Sequence, residues 1–245
     1  MAADGELIAA LRAGLVGAAQ PQRAPAMQAY MQSALPFHGV ATSQRRQIVA
    51  TALAAHPVAD AASLAATARR LWREATHREQ RYLALDLLRS PRHRALVGID
   101  LLPLLQALIV EGAWWDYVDE ISGRPLARLL EADPAAMKPV LRRWACGDDL
   151  WLRRAAMLGQ RSLKTGFDAV LFYDTLLPSL AGGRHADEFF IRKGMGWALR
   201  ERSYAAPDEV QAFCSEYRDR LSPLTRREAL RAIVRQRPGT PVRTP

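Results

Sequence analysis

Apolar residues recur at spacings of three and four positions along almost the whole chain, which is the pattern of amphipathic α-helices. No segment alternates apolar and polar residues with a period of two, so the sequence predicts no β-strands. Pro, Gly and Asp cluster between the periodic segments, as is typical of turns between helices. The predicted helices cover residues 5–18, 25–34, 42–55, 61–75, 77–89, 95–111, 113–131, 134–146, 149–164, 168–181, 187–203, 207–220 and 225–235.

The predicted helices are about 12–18 residues long, and antiparallel pairs of them recur roughly every 35–40 residues, the scale of HEAT-like repeats. We therefore expect an all-α chain that forms a curved α-solenoid with a concave face for an extended ligand. A compact helical bundle is the structural alternative. One domain is expected over residues 1–235, with Thr225 and Glu228 as a capping box for the last helix. The Pro-rich residues 236–245 are expected to be disordered.

Composition narrows the class of protein. The chain has 245 residues, of which 49% are hydrophobic, enough to bury a substantial core. No apolar run reaches the roughly 18 residues of a membrane span, and the N-terminus does not resemble a signal peptide. Cys146 and Cys214 are too few for a disulfide scaffold, and the five histidines have no metal-ligand spacing. A cytoplasmic protein without a metal or cofactor is therefore expected.

The charge balance is strongly basic. Lys and Arg number 34 against 25 Asp and Glu, and residues 190–245 hold 12 basic and 6 acidic side chains. A basic surface favours a polyanionic partner such as nucleic acid. A genome-wide preference for Arg would produce the same charge without any such partner.

The most informative stretch is an aromatic pair followed by acids. In a helix, Trp115 and Asp119 lie four residues apart and share one face. Such a pair can hold a cation or a developing positive charge. Trp114 points about 100° away and is expected to pack in the core. The alternative is that both tryptophans are packing residues and that Asp119 is an ordinary exposed carboxylate.

A second predicted helix begins near Trp151 and contains two adjacent arginines. Asp148 or Asp149 can cap it. Arg153 and Arg154 diverge around the helix, so at most one of them can face a given ligand. The alternative is a solvated helix face with a salt bridge.

A third predicted helix carries aromatic and cationic side chains on one stripe. The stripe consists of Phe190, Lys193, Trp197 and Arg200. This alternation suits a nucleic-acid backbone with stacking contacts, whereas core aromatics flanked by cations that reach water are the alternative. Gly194 and Gly196 lie inside the same helix and are expected to permit close approach by another helix or a ligand.

Taken in chain order, these segments resemble the AlkD-type family of DNA alkylation-repair glycosylases, which is built from HEAT-like repeats. The resemblance covers roughly residues 5–235, and each motif is weak alone but specific in combination. The motifs are Tyr30-Met31 with Phe37, Gly39, Val40, Ser43, Arg45 and Arg46; Trp114 to Asp119; Trp151 to Ala156; Glu188 to Glu201; and Pro223 to Ala229.

The resemblance implies a right-handed α-solenoid whose concave basic groove binds duplex DNA. It also implies excision of cationic N-alkylated purines, such as 3-methyladenine and 7-methylguanine, without base flipping. A monomer is expected, because the sequence leaves no extra apolar stripe for an interface. The implied catalytic residues are Trp115, Asp119 and Trp197. The implied DNA-binding residues are Arg154, which would contact a phosphate, together with Lys193 and Arg200. Arg153 stands where the family often has an uncharged residue and adds charge beside the site. The further DNA-binding candidates are Arg153, Phe190, Arg45 and Arg46.

The candidate residues suit this chemistry. An alkylated purine is already cationic and leaves readily, so the site needs no histidine and no carboxylic acid of raised pKa. Asp119 can stabilise the positive charge that develops on the deoxyribose and can orient water. Two other functions stay open at this point. One is a HEAT-type scaffold that binds DNA or an acidic protein without catalysis, and the other is an enzyme that acts on RNA.

Overall fold

A computed structural model describes residues 2–163 and 165–236. All regular elements in those ranges are helical, which confirms the all-α prediction. No helix there is long and apolar enough to cross a membrane. The helices are α1 (Gly5–Gly17), α2 (Ala24–Met31), α3 (Thr42–Ala55), α4 (Ala61–Arg73), α5 (Arg78–Arg89), α6 (Leu102–Gly112), α7 (Trp115–Ile121), α8 (Ala127–Ala132), α9 (Pro134–Cys146), α10 (Leu150–Leu158), α11 (Ala169–Leu176), α12 (Phe189–Ser203), α13 (Pro207–Glu216) and α14 (Pro223–Gln236).

The predicted helix 95–111 is shorter than expected. Two 3₁₀ turns, Pro91–Leu96 and Ile99–Leu101, occupy its start, and α6 begins only at Leu102. Pro103 accounts for the difference, because proline is tolerated in the first turn of a helix but clashes with the preceding turn in the interior.

The predicted helix 113–131 is present but is interrupted by a π-helical segment, Ser122–Leu126, between α7 and α8. Pro125 lies inside this segment and has no N–H for the regular hydrogen bond, so the helix widens locally rather than ending.

Two capping predictions have different outcomes. Asp149 caps α10, since its Oδ1 accepts the backbone N–H groups of Trp151 and Leu152. The capping box at Thr225 is wrong. α14 begins two residues earlier, and the hydroxyl of Ser222 accepts the Thr225 N–H at 3.0 Å.

The chain divides into two compact units, residues 1–108 and 109–245. In the first unit, α1 packs against α3, α4 and α5, and α4 packs against α5. Its core is formed by leucines that are fully buried. They include Leu7, Leu11, Leu15, Leu64, Leu71, Leu83 and Leu87. The single domain and the solenoid with its groove stay predictions.

The second unit is organised around α12, which packs against α10 and α14. Its core combines apolar side chains from α10 to α14, among them Met157, Phe172, Leu176, Met195, Leu199, Phe213 and Ile233. Met1, Lys164 and residues 237–245 lie outside the described residues. The predicted helix 149–164 is too long, because α10 ends at Leu158 and residues 159–162 form turns. Most of the predicted tail 236–245 falls outside the described residues, although Gln236 ends α14.

Candidate active site

The centre of the candidate site is an ion pair between a buried arginine and a largely buried aspartate. Both carboxylate oxygens of Asp119, on α7, accept hydrogen bonds from Arg154 on α10, each at 2.8 Å. A third nitrogen of Arg154 donates to the backbone carbonyl of Phe190 on α12 at 2.5 Å. The arginine is 3% exposed. A bidentate pair of this kind fixes the direction of the carboxylate as well as its charge, so three helices together orient Asp119.

The surroundings of Asp119 act on its pKa in opposite directions. Burial has the largest effect and raises the pKa of Asp119, because a charged group loses hydration there. The hydrogen bonds and positive charge of Arg154 lower it, and the neighbouring charge of Asp116 raises it slightly. The expectation of a site without a carboxylic acid of raised pKa was therefore wrong, because sequence alone did not reveal how deeply Asp119 is buried.

Arg153 points away from its neighbour, as two adjacent residues on a helix must. Its Nε and Nη2 donate to the carbonyls of Gly147 and Cys146, at 2.6 and 3.0 Å, at the C-terminal end of α9. Its Nη1 donates to the hydroxyl of Ser179 at 3.3 Å, and the residue is 3% exposed. Burial lowers the pKa of Arg153. The predicted DNA contact of Arg153 is therefore corrected, because its guanidinium caps the C-terminal end of α9.

Arg154 also differs from the prediction of a direct phosphate contact. Its Nε, Nη1 and Nη2 each donate to a protein acceptor, and the side chain is almost completely buried. The geometry makes it the partner of Asp119. Trp115 is the first residue of α7 and is partly buried, one helical turn before Asp119.

Trp197 lies on α12 and is held at two places. Its Nε1 donates to Glu201 at 3.0 Å. The guanidinium carbon of Arg161 lies 4.1 Å from the centroid of its ring, a cation–π contact. Arg161 lies in the turn after α10, within the span 149–164 that the sequence predicted to be helical. Nothing in that prediction marked Arg161 as a site residue.

Trp114 packs in a partly buried aromatic cluster, which agrees with a packing role, although it lies just before α7 rather than inside the helix or in the core. Its ring centroid lies 5.4 Å from that of Phe190 and 6.2 Å from that of Trp151. Phe190 and Trp151 are in turn 5.2 Å apart. The placement of Phe190 between two tryptophans favours the packing alternative over the predicted DNA contact.

The cations of the α12 stripe share one acid. Lys193 Nζ donates to Oε1 of Glu228 at 2.8 Å, and Arg200 Nη1 donates to its Oε2 at 2.7 Å. The hydrogen bond from Lys193 is the largest cause of the lowered pKa of Glu228. The Lys193 side chain is 42% exposed. Because one carboxylate offsets two cations, a net positive charge remains at this surface.

Both glycines of α12 permit close packing, as predicted. A Cβ at Gly194 would lie 2.8 Å from Nη1 of Arg154, and a Cβ at Gly196 would lie 2.7 Å from the Cβ of Glu228. The first glycine therefore admits the Asp119–Arg154 pair against α12, and the second admits α14.

The sequence matches the DNA alkylation repair enzyme family over residues 11–233. The chain belongs to this family. A solved structure described as "Predicted DNA alkylation repair enzyme from Enterococcus faecalis" is similar to it, with a TM-score of 0.76 and 25% sequence identity. That similarity covers 86% of this chain and 95% of the other. No curated protein matches the chain at a significant level.

Family membership confirms the resemblance drawn from the motifs and implies a role in DNA alkylation repair. Two arginines of the early family motif lie in the first unit. Arg45 is 6% exposed, and its Nε donates to Asp86 at 2.5 Å while its guanidinium covers the ring of Tyr82. The predicted DNA contact of Arg45 is corrected to this buried ion pair. Arg46 is exposed, and its predicted DNA contact stays a prediction.

Proposed function

We propose that the protein is a DNA glycosylase that hydrolyses the N-glycosidic bond of cationic N-alkylated purines in duplex DNA. The observation that carries the proposal is Asp119, a buried carboxylate fixed by Arg154 in the same unit as the aromatic face of Trp197. Membership in the DNA alkylation repair family supports the substrate class. A scaffold that only binds DNA has no need of an oriented, buried carboxylate, whose desolvation is costly.

In the proposed reaction, the bond between C1′ and the purine nitrogen breaks heterolytically. Its electron pair leaves with the base and neutralises the base's positive charge, so no acid has to protonate the leaving group. The positive charge passes to the deoxyribose, where the carboxylate of Asp119 stabilises it electrostatically. Water then adds to C1′ and loses a proton to the carboxylate of Asp119, which is the base that we assign. The products are the free base and an abasic site.

We assign the phosphate contacts to Lys193 and Arg200, whose charged ends lie together beside α14. The lesion base is proposed to remain unburied. The resemblance to the AlkD-type family, which implies excision without base flipping, supports this proposal. An enzyme of this kind tolerates bulky cationic lesions, because no pocket has to enclose them.

Release of 7-methylguanine from alkylated duplex DNA tests the proposal. Asp119→Asn is expected to lower the rate about 100- to 1000-fold, as loss of one preorganised electrostatic group does. Asp174→Asn is the matched control, since Asp174 pairs with Arg142 on the surface and is 37% exposed. Near-wild-type release by Asp119→Asn would contradict the assignment. Duplex binding without any base release by the wild-type protein would favour the non-catalytic scaffold.

A further inference from the structure

Arg161 places a positive charge where the proposed reaction develops one. Its guanidinium carbon lies 4.1 Å from the centroid of the Trp197 ring. The negative charges of Asp119, Glu201 and Glu120 all act on the same guanidinium. The face of Trp197 in this structure is therefore a cation site, and a side chain of the protein already occupies it.

The helix opposite Arg161 is shaped to admit it. A Cβ at Gly123 would lie 2.5 Å from Nη2 of Arg161, so a larger residue there would push the end of this flexible side chain out of its present position. Gly123 lies in the π-helical segment around Pro125, and its carbonyl accepts a hydrogen bond from the hydroxyl of Ser162. The small residue and the widened turn together bring the loop after α10 against the π-helical segment that follows α7.

Arg161 is held less firmly than Arg154. Its Nε is buried and has no hydrogen-bond partner among residues 2–163 and 165–236. The three kinds of guanidinium nitrogen in Arg154, by contrast, each have an acceptor at 2.5–2.8 Å. Arg161 is held by the ring face of Trp197 and by the negative charges of nearby carboxylates rather than by directed hydrogen bonds. A second cation of suitable shape can therefore replace it.

We propose that Arg161 is a resident cation of the Trp197 face, which it occupies in the DNA-free protein and leaves when the positively charged nucleotide enters. The inference rests on the proposed function, in which this face meets the charged sugar. One face of Trp197 cannot hold two like charges. In the empty site, Arg161 compensates part of the negative charge of the partly buried carboxylates Asp119, Glu120 and Glu201.

A resident competitor lowers the apparent affinity of every ligand that needs the face, in proportion to the fraction of protein in which the face is occupied. Binding of undamaged DNA, in which nothing enters the face, is not subject to this factor. Removal of the charge of Arg161 is therefore expected to strengthen binding of a cationic ligand. A DNA-binding protein that loses a phosphate contact shows the opposite change.

The first experiment compares two duplexes of one sequence by fluorescence anisotropy at fixed salt. One carries a pyrrolidine ring, protonated at neutral pH, in place of the target deoxyribose, and the other is undamaged. Arg161→Gln is expected to tighten binding of the pyrrolidine duplex about tenfold relative to the undamaged one, the size of a desolvated cation–π contact. Arg161→Lys, which keeps the charge, is expected to lie between Arg161→Gln and the wild type.

Arg142→Gln removes an equal charge from a surface pair and serves as the control, with an unchanged ratio expected. If Arg161→Gln leaves the ratio unchanged, or weakens binding of both duplexes with a smaller salt slope, Arg161 is a structural or phosphate-binding residue and the inference fails. If the wild-type protein itself does not prefer the pyrrolidine duplex and releases no alkylated base, the proposed function fails first.

A second experiment needs no variant to fold. The Nε–H signal of Arg161 is expected to be displaced by the ring current of Trp197 in the free wild-type protein. Addition of the pyrrolidine duplex is expected to return it to the ordinary arginine position, whereas undamaged duplex leaves it displaced. A signal that stays displaced with the pyrrolidine duplex overturns the inference.

Discussion

Removal of Arg154 tests the central ion pair most directly. Arg154→Gln leaves the carboxylate of Asp119 buried without its two charge-assisted hydrogen bonds, and the two side chains are only 4% and 12% exposed. A buried pair broken on one side typically costs about 3–5 kcal/mol. Arg142→Gln breaks a pair of the same N–O length, 2.8 Å, whose side chains are 42% and 37% exposed. That control is expected to cost no more than about 1 kcal/mol.

The loss of stability in Arg154→Gln is also expected to depend on pH and to be smaller at low pH. Loss of Arg154 removes the effects that lower the pKa of Asp119 and leaves burial, which raises it. A carboxyl whose pKa is raised by folding contributes stability that is fully present below its unfolded value of about 3.9 and is lost as the pH rises through the folded-state pKa. The deficit of Arg154→Gln should therefore shrink as the pH falls from neutrality, because protonation removes the unpaired charge.

Urea unfolding at several pH values, followed by tryptophan fluorescence, measures these effects. The double variant Asp119→Asn/Arg154→Gln should be less destabilised than the sum of the two single variants, because it contains no unpaired buried charge. A deficit of Arg154→Gln below about 1 kcal/mol, or one that does not change with pH, would refute the reasoning that the pair is tightly buried and coupled.

Four further predictions concern other parts of the second unit. Lys193→Gln should reduce the slope of log affinity against log salt by about 0.9, because one phosphate contact is lost. Arg153→Met should destabilise the fold by about 3 kcal/mol, since carbonyls at the end of α9 lose a charged donor, but should leave that slope unchanged. Gly196→Val should cost about 1–3 kcal/mol in denaturant unfolding, because its Cβ would lie 2.7 Å from a side-chain carbon on α14. Gly5→Ala, with nothing within 4 Å, is its control. The acid limb of base release should lie above the ordinary aspartate range near about 3.9, because burial raises the pKa of Asp119.

Each of these has a result that contradicts it. An unchanged salt slope in Lys193→Gln would remove that residue from the DNA contacts. A reduced slope in Arg153→Met would restore the DNA contact that the structure argues against. Equal stability of Gly196→Val and the wild type would mean that α12 and α14 pack less closely than described. An acid limb in the ordinary range would mean that the ion pair outweighs burial.

The sequence predicted local features well where one residue type has one physical consequence. Asp149 caps α10 because its carboxylate can reach N–H groups that no helix satisfies. Gly194 and Gly196 indicated close packing because glycine is costly inside a helix without such a reason. The same reasoning failed at Pro103 and Pro125, where periodicity continues through a proline that shifts a helix start in one case and widens the helix in the other.

The depth of side chains was harder to predict. Periodicity indicated that Arg153 and Arg154 diverge, but not that both would be buried. Burial depends on which carbonyls and carboxylates neighbouring helices present, and those contacts join residues far apart in the chain. Arg161 gave no signal because its role depends on Trp197, which follows 36 residues later. The predicted helix 149–164 also concealed that α10 ends at Leu158 and leaves Arg161 in a turn.

The carboxylate of Glu228 affects how the salt dependence of DNA binding by this protein would be interpreted. It behaves as a counterion that is covalently part of the protein, shared between Lys193 and Arg200. The salt dependence of binding reports the phosphate charge that is neutralised, and a counterion that cannot diffuse away cancels part of what these two cations bring. In the wild-type protein, the slope of log affinity against log salt would therefore correspond to about one neutralised phosphate at this surface, although two cations contact the DNA backbone. In Glu228→Gln, the number of phosphates obtained from the salt slope would equal the number of cations that contact the DNA.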